Sequence, residues 1–447
     1  MEQIIIKGIM IILVVLGIIF FVRCKNKANL WLDYKFWLIL SWGVCMCLYL
    51  FSGIQYSINL TFMSFFYILA VLGLFCLGGI LAKKLKCFTK DTRREKKINV
   101  SKKMNTNPLF IISLVCVCCY TVYMFHINDI VIGVTRDFQA NWLSTLFLIG
   151  SCASLIVWLY ELSYAIIADK NITWYGILSF IIFNIPGVVI SGRDALIISI
   201  VVTVIVFFYS GHYAKKVQKN DCKTYKRLMK LGIVGAGLIL FYLIFLSANR
   251  YGEDPAAALN MFEWSAQCTF PDYLQFIYYH LGGMGKLIIN AVFYYSSQLS
   301  KFALMFEEYK GPYLFGFYQL HYVSRLLPDS WPTNYTLVSE QIRQITMDVG
   351  IPGLKSFWET AIGYSLYDFG KIGTLLVSFG GGFLTGYIRN WCWQKLDILK
   401  IILLACLCTG MFLTVEMSPL FDYFYIFPLA WLGFILIRKK LLSKKRE

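Results

Sequence analysis

The sequence predicts an all-α polytopic membrane protein. Three observations carry that prediction: long apolar runs, a low density of charge, and basic residues gathered in alternate connections. Of 447 residues, 58% are hydrophobic, 17% aromatic and only 15% charged, and the mean hydropathy is +0.63. Soluble domains carry nearer a quarter charged residues, and no water-soluble core of this size hides so much Leu, Ile, Val and Phe. A soluble globular enzyme, a disordered chain and a small disulfide scaffold are excluded.

A helix needs roughly 17–25 apolar residues to cross a hydrocarbon core of ~30 Å. About eleven such runs occur, at 4–22, 36–53, 61–82, 108–125, 142–166, 172–190, 195–211, 231–247, 372–388, 398–415 and 421–437. They are expected to be helices, because lipid offers no partner to an unpaired backbone N–H or C=O. The first lacks a basic leader and a small-residue cleavage site, so it is read as an anchor and not as a signal peptide. After it come Arg23, Lys25, Lys27 and Lys35. Segment 83–107 holds ten basic residues, segment 212–230 seven, and the tail after Leu436 six. Every second connection is basic, the pattern of cytoplasmic loops, which predicts the N-terminus outside and the C-terminus in the cytoplasm. The chain then divides into an eight-span region over 1–247, one large outer loop over 248–370, and a three-span region over 371–447 with a basic tail.

The net charge of +17 is therefore a topology signal with attraction to anionic headgroups, and no nucleic-acid partner is expected. The large loop carries seven basic and eleven acidic residues. Of the fourteen cysteines only Cys268 lies in that loop, so no disulfide framework holds it. Cys116, Cys118 and Cys119 sit in an apolar run, where cysteine acts as a small packing residue.

A loop of roughly 120 residues is far longer than joining two helices requires, and such loops are usually functional. Its stretch 274–306, with Phe276-Ile277-Tyr278-Tyr279 and Tyr294-Tyr295, reads as amphipathic or re-entrant helix with aromatics at the lipid–water boundary. Arg193 and Asp194 stand between two spans with almost no loop to carry them into water, and Arg250, in Ser247-Ala248-Asn249-Arg250-Tyr251-Gly252, stands just past the eighth. Burying a charge at such depth costs about 2–3 kcal/mol unless it is paired or reaches the interface. Guanidinium binds phosphate through two parallel hydrogen bonds, so these arginines suit a lipid diphosphate; an Arg193–Asp194 pair that only fixes helix ends is the plainer alternative.

Of four histidines, His212 lies on the basic side, whereas His280 and His321 lie in the large loop, where imidazole can serve as a base. Candidate carboxylates are Glu253, Asp254, Glu307, Glu308, Glu359 and Asp368, the last placed to cap a helix. Gly282-Gly283-Met284-Gly285-Lys286 lacks the spacing of a phosphate loop, and Asn334-Tyr335-Thr336 is a glycosylation sequon by pattern only. No clustered metal-ligand motif is present, and no metal or cofactor is expected. Glu161 is the one carboxylate set well inside a span.

The order of features then points to a family. Ser191-Gly192-Arg193-Asp194 separates two spans, Arg250 opens the large loop, and Tyr294-Tyr295-Ser296-Ser297 precedes an apolar segment. Phe357-Trp358-Glu359-Thr360-Ala361-Ile362-Gly363 leads through Leu366-Tyr367-Asp368-Phe369-Gly370-Lys371-Ile372-Gly373 to Gly380-Gly381-Gly382. Over about 180–390 the chain resembles the Wzy-type O-antigen and oligosaccharide repeat-unit polymerases. That resemblance implies a GT-C-like helical frame in a bacterial cytoplasmic (inner) membrane with its site facing the periplasm or exterior. It implies metal-independent, inverting glycosyl transfer on undecaprenyl-diphosphate-linked oligosaccharides, with membrane lipids, a chain-length regulator and a flippase as partners. Under it, Arg193, Arg250 and Arg325 take the diphosphate, Glu359 or His321 is the base, and Asp194, His280 and Tyr251 contact substrate. The alternatives are an O-antigen ligase-like transferase and a flippase or transporter of the same lipid-linked units.

Overall fold

The computed structural model describes residues 2–24, 31–84, 103–127, 142–189, 194–218, 223–249, 256–320, 335–356, 359–394 and 396–444. Apart from a two-residue strand pair and short turns, the regular structure there is helical. In chain order the helices are α1 (Glu2–Cys24), α2 (Tyr34–Phe51), α3 (Phe62–Lys84), α4 (Asn107–Ile127), α5 (Trp142–Ser151), α6 (Ala153–Ala168), α7 (Trp174–Val189) and α8 (Asp194–Gln218). There follow α9 (Lys223–Asn249), α10 (Ala257–Ala266), α11 (Asp272–His280), α12 (Gly282–Glu308), α13 (Tyr335–Asp348), α14 (Ala361–Gln394), α15 (Ile398–Leu413) and α16 (Tyr423–Lys444).

Each apolar run named above falls on a helix. Among the described residues, five helices are long and apolar enough to cross a membrane: Tyr34–Phe51, Phe62–Lys84, Asn107–His126, Trp142–Ala168 (α5 and α6 taken together) and Asp194–Lys215. Trp174–Val189 and Ile398–Leu413 are shorter apolar helices. The molecule is an all-helical membrane protein. Its long helices turn large side chains such as Ile111, Val122, Ile233 and Leu376 outward, a pattern that suits lipid and would be a liability in water.

Where helices meet, small residues let backbones approach. α3 lies along α14 through Gly78, Gly79, Gly382 and Gly386. A Cβ on Gly386 would come within 2.8 Å of Gly79 Cα, and one on Gly382 would overlap the Phe75 carbonyl oxygen. The same close register brings Asn390 Nδ2 to donate to Ala82 O at 3.1 Å. At that end of the bundle Arg389 pairs with Asp33 at 3.3 Å and Lys439 with Asp397 at 2.7 Å, while Lys83 and Lys84 close α3. Basic helix ends thus collect together.

At the other end, β1 (Gln55–Tyr56) pairs antiparallel with β2 (Cys268–Thr269), matching Gln55 with Thr269 and Tyr56 with Cys268. Tyr273 donates to Ser52 O, so the turn after α2 is sewn to the segment that carries α10 and α11. The buried core forms two main clusters. One joins α1, α2 and α3 to α10–α13 and the start of α14; the other joins the α2 N-terminus to α5–α8, α15 and α16.

Candidate functional site

The stretch 274–306, expected to lie at the interface, divides in two. α11 turns Tyr273, Phe276 and Tyr279 outward. The second half of α12 does not: every residue from Ser296 to Phe306 is buried. A helix covered on all sides runs through the core. Cys45 Sγ donates to Tyr295 O at 2.9 Å, Tyr56 OH and Ser296 Oγ share a bond of 2.6 Å, and Ser300 Oγ donates to Ile58 O at 2.8 Å.

Lys301 sits within this buried stretch and is 2% exposed. Its partner comes from the chain just before α14. Ala361 N donates to Thr414 O at 2.8 Å, Trp42 Nε1 donates to Thr414 Oγ1 at 3.0 Å, and Gly363 N donates to Thr360 Oγ1 at 3.2 Å. These bonds dock the start of α14 against the end of α15 and the middle of α2 and aim Glu359 inward. Lys301 Nζ stands 2.7 Å from Glu359 Oε1, off the angle of a good hydrogen bond. Tyr367 OH donates to Oε2 at 2.5 Å. Burial and the neighbouring Glu359 charge push the Tyr367 phenol well above its ordinary pKa, so it stays protonated and a donor. Its ring is held edge-on by Tyr309 at 4.8 Å and Tyr318 at 5.3 Å.

Asp368, read from sequence as a helix cap, does cap, but for a different segment. Its carboxylate accepts Tyr318 N at 2.9 Å and Gln319 N at 3.2 Å, and its carbonyl accepts Phe315 N at 2.8 Å. It orders the 314–320 turn and does not start the following span. Gln319 Oε1 in turn accepts from Ser418 Oγ at 2.5 Å. α14 breaks at Gly370, where φ is 67° and ψ −178°, so residues 361–369 form a short helix set apart from the long one behind it.

Arg193, Arg250, Tyr251, His321 and Arg325, together with Glu253 and Asp254, lie outside the described residues. Asp194 opens α8, and buried Asp422 caps α16 by accepting Phe424 N at 2.8 Å. His280 ends α11 with Nδ1 2.9 Å from Phe276 O and its ring stacked on Phe276 at 4.0 Å; these contacts lie on its own helix. Glu307 accepts from Thr61 Oγ1 at 3.0 Å. Among the described residues, no group of three His, Cys, Asp or Glu side chains is placed to hold a metal ion.

Among the described sequence candidates, then, Glu359 is the one set against a buried ammonium. Sequence reasoning missed Lys301 and Tyr367. Lys301 had a readable signal: it is the lone charge between Lys286 and Glu307, and a lone ionisable residue in such a setting calls for a partner. Chemically, a carboxylate with one oxygen held by a phenol and the other facing an ammonium can accept a proton once the ammonium is drawn to another anion. Glu161, the embedded carboxylate, is 1% exposed and fully engaged. It pairs with Lys103 at 2.8 Å and accepts from Thr106 Oγ1, Thr173 Oγ1 and Tyr175 OH. Comparison of the chain with family models, curated proteins and solved structures gave no match.

Proposed function

We propose that this chain is a glycosyltransferase of the bacterial cytoplasmic membrane that joins undecaprenyl-diphosphate-linked oligosaccharide units into a surface polysaccharide. In this reading eleven helices span the bilayer, the basic end faces the cytoplasm, and the chemistry lies at the opposite, outer end. The observation that carries it is the buried Lys301–Glu359–Tyr367 group, formed where α12 meets the start of α14.

The reaction needs one base and one means of holding a departing diphosphate. Glu359 takes the proton of the acceptor hydroxyl as that oxygen attacks the anomeric carbon. The bond from that carbon to the diphosphate oxygen breaks, and the electron pair leaves with the diphosphate. A positioned base contributes typically 10²–10⁴-fold. The incoming diphosphate draws Lys301 Nζ from Glu359, which both uncovers the carboxylate and neutralises the leaving charge. Arg193, Arg250 and Arg325 add to that neutralisation in this reading, and Tyr367 keeps Glu359 oriented. The sequence resemblance supplies the substrate class and metal independence; the buried pair supplies the machinery.

A ligase that moves finished polymer would share this chemistry and differ in acceptor. A transporter would want an ionisable group near the membrane midplane; Glu161, the one carboxylate set well inside a span, is held by Lys103 and three hydroxyl donors, and that favours a structural role for it.

The test is a cell-free reaction. Purified protein in liposomes receives lipid-diphosphate-linked repeat units with EDTA and no nucleotide, and products are resolved on a gel. A ladder of lengths is expected. Units that stay single but cross the bilayer would replace this reading with a transporter, and single addition to a non-repeat acceptor would replace it with a ligase.

A further inference from the structure

One cleft, of about 350 Å³, is lined in part by Ala303 and Leu304, which follow Lys301 on α12, and plays no part in the mechanism above. Its polar lining is Ser57, Asn59, Thr61, Gln267, Glu307 and Glu308, and its apolar wall includes Ala303, Leu304 and Ile351. We infer that it binds the neutral or amino-sugar part of an oligosaccharide, next to the transfer site; the inference rests on the function proposed above.

Charge and hydrogen-bonding capacity choose the ligand class. The charged groups in the lining are the two carboxylates, so a diphosphate or a uronic acid is repelled. One amide donor of Asn59 is committed to Tyr56 O at 2.9 Å, and one of Gln267 to Gly350 O at 2.7 Å. With Glu307 and Glu308 beside them, the wall is rich in acceptor oxygens. Its best ligand brings many donors, as vicinal hydroxyls or amines do, and bonds from such donors to a carboxylate are the strong kind. The apolar patches suit the C–H faces of a sugar ring, and the volume lies in the ordinary range for small-molecule sites.

Position gives the cleft its role. Lys301, Leu304 and Glu308 fall at i, i+3 and i+7 and share one face of α12. At 1.5 Å per residue the cleft wall begins at Ala303, about 3 Å from Lys301 along the axis, and reaches Glu308 at about 10.5 Å. A sugar in the cleft therefore lies within a residue or two of a group reacting at Glu359.

The experiment uses the full chain in nanodiscs on a printed panel of neutral, amino-sugar and uronic-acid oligosaccharides, in EDTA. Glu307 and Glu308 are exposed, so a Glu307→Gln, Glu308→Gln double variant keeps the fold. The wild type is expected to bind neutral or amino-sugar members, and the double variant to bind them about tenfold or more weakly. An unchanged variant, no binding by the wild type, or a preference for uronic acids would overturn the inference. So would binding that appears only when divalent cation replaces EDTA. The polymer ladder is scored separately. A ladder without glycan binding sinks the cleft and keeps the function, whereas binding without a ladder sinks the function.

Discussion

Lys301 and Glu359 meet between α12 and the start of α14, Nζ to Oε1 2.7 Å, with side chains 2% and 5% exposed. A buried ion pair contributes little net stability, yet removing one partner strands a charge and costs about 3–5 kcal/mol. Lys301→Ala and Glu359→Ala are each expected to lower thermal stability in detergent by an amount in that range. Lys301→Met combined with Glu359→Gln, which leaves no charge, is expected to recover much of it while polymerisation stays absent. Thermal unfolding and the ladder assay, run on the same preparations, check both halves; a double variant that makes normal polymer would remove the pair from the mechanism.

That pairing shows where the sequence was legible and where it was not. The helices follow from apolar runs, because lipid admits few other backbone solutions, and each run falls on a helix. Glu359 was reached through the motif around it. Lys301 was counted only as one of the loop's basic residues, because its partner lies far along the chain and no local spacing announces the contact. Glu161 shows the reverse. From the sequence it is one carboxylate set well inside a span, and only the fold brings Lys103 to within 2.8 Å. Within 274–306, read as amphipathic or re-entrant helix, α11 exposes Phe276 and Tyr279 whereas the second half of α12 is buried throughout. Aromatic content alone does not distinguish an aromatic facing lipid from one packed against α2.

Asp368 gives a pH signature. Burial pushes its carboxyl above the ordinary 3.8, against the downward pull of the Tyr318 and Gln319 N–H groups. The folded chain therefore holds this proton more tightly than the unfolded chain does. The stability so gained is complete below 3.8 and is lost as pH rises through the raised folded value. Asp368→Asn cannot titrate. The stability of the wild type relative to this variant is expected to fall with rising pH across that acidic window and to level off above it. Melting curves of both proteins over the acidic range decide the matter, and a difference that grows with pH would contradict the assignment.

Gly370 carries the break in α14. With φ 67° and ψ −178° it occupies a region that is essentially open to glycine only, where strain amounts to about 1–3 kcal/mol. A Cβ there would also stand 3.2 Å from the Tyr313 ring. Gly370→Ala is expected to lose stability of that order. It should also shift Tyr367 and Asp368, which immediately precede the break, so activity should fall along with the melting temperature. Melting and ladder assays on one preparation test this, and an alanine variant as stable and active as wild type would mean the break is not required.

The three glycines 380–382 separate packing from composition within a single run. Gly380 has open space where a Cβ would go, Gly381 would meet Phe75 side-chain carbon at an ordinary 3.6 Å, and Gly382 would drive a Cβ into the Phe75 backbone. Gly380→Ala is therefore expected to be neutral or to stabilise by up to about 1 kcal/mol, since alanine is the better helix former. Gly382→Ala should force α3 and α14 apart, and because backbone cannot yield as a flexible side chain does, the yield of folded protein should drop sharply. Size-exclusion profiles of the two variants, solubilised in parallel, make the comparison. The helix contact predicts a monodisperse Gly380→Ala peak beside an aggregated or depleted Gly382→Ala one. Equal profiles would show that the two helices do not meet at this register.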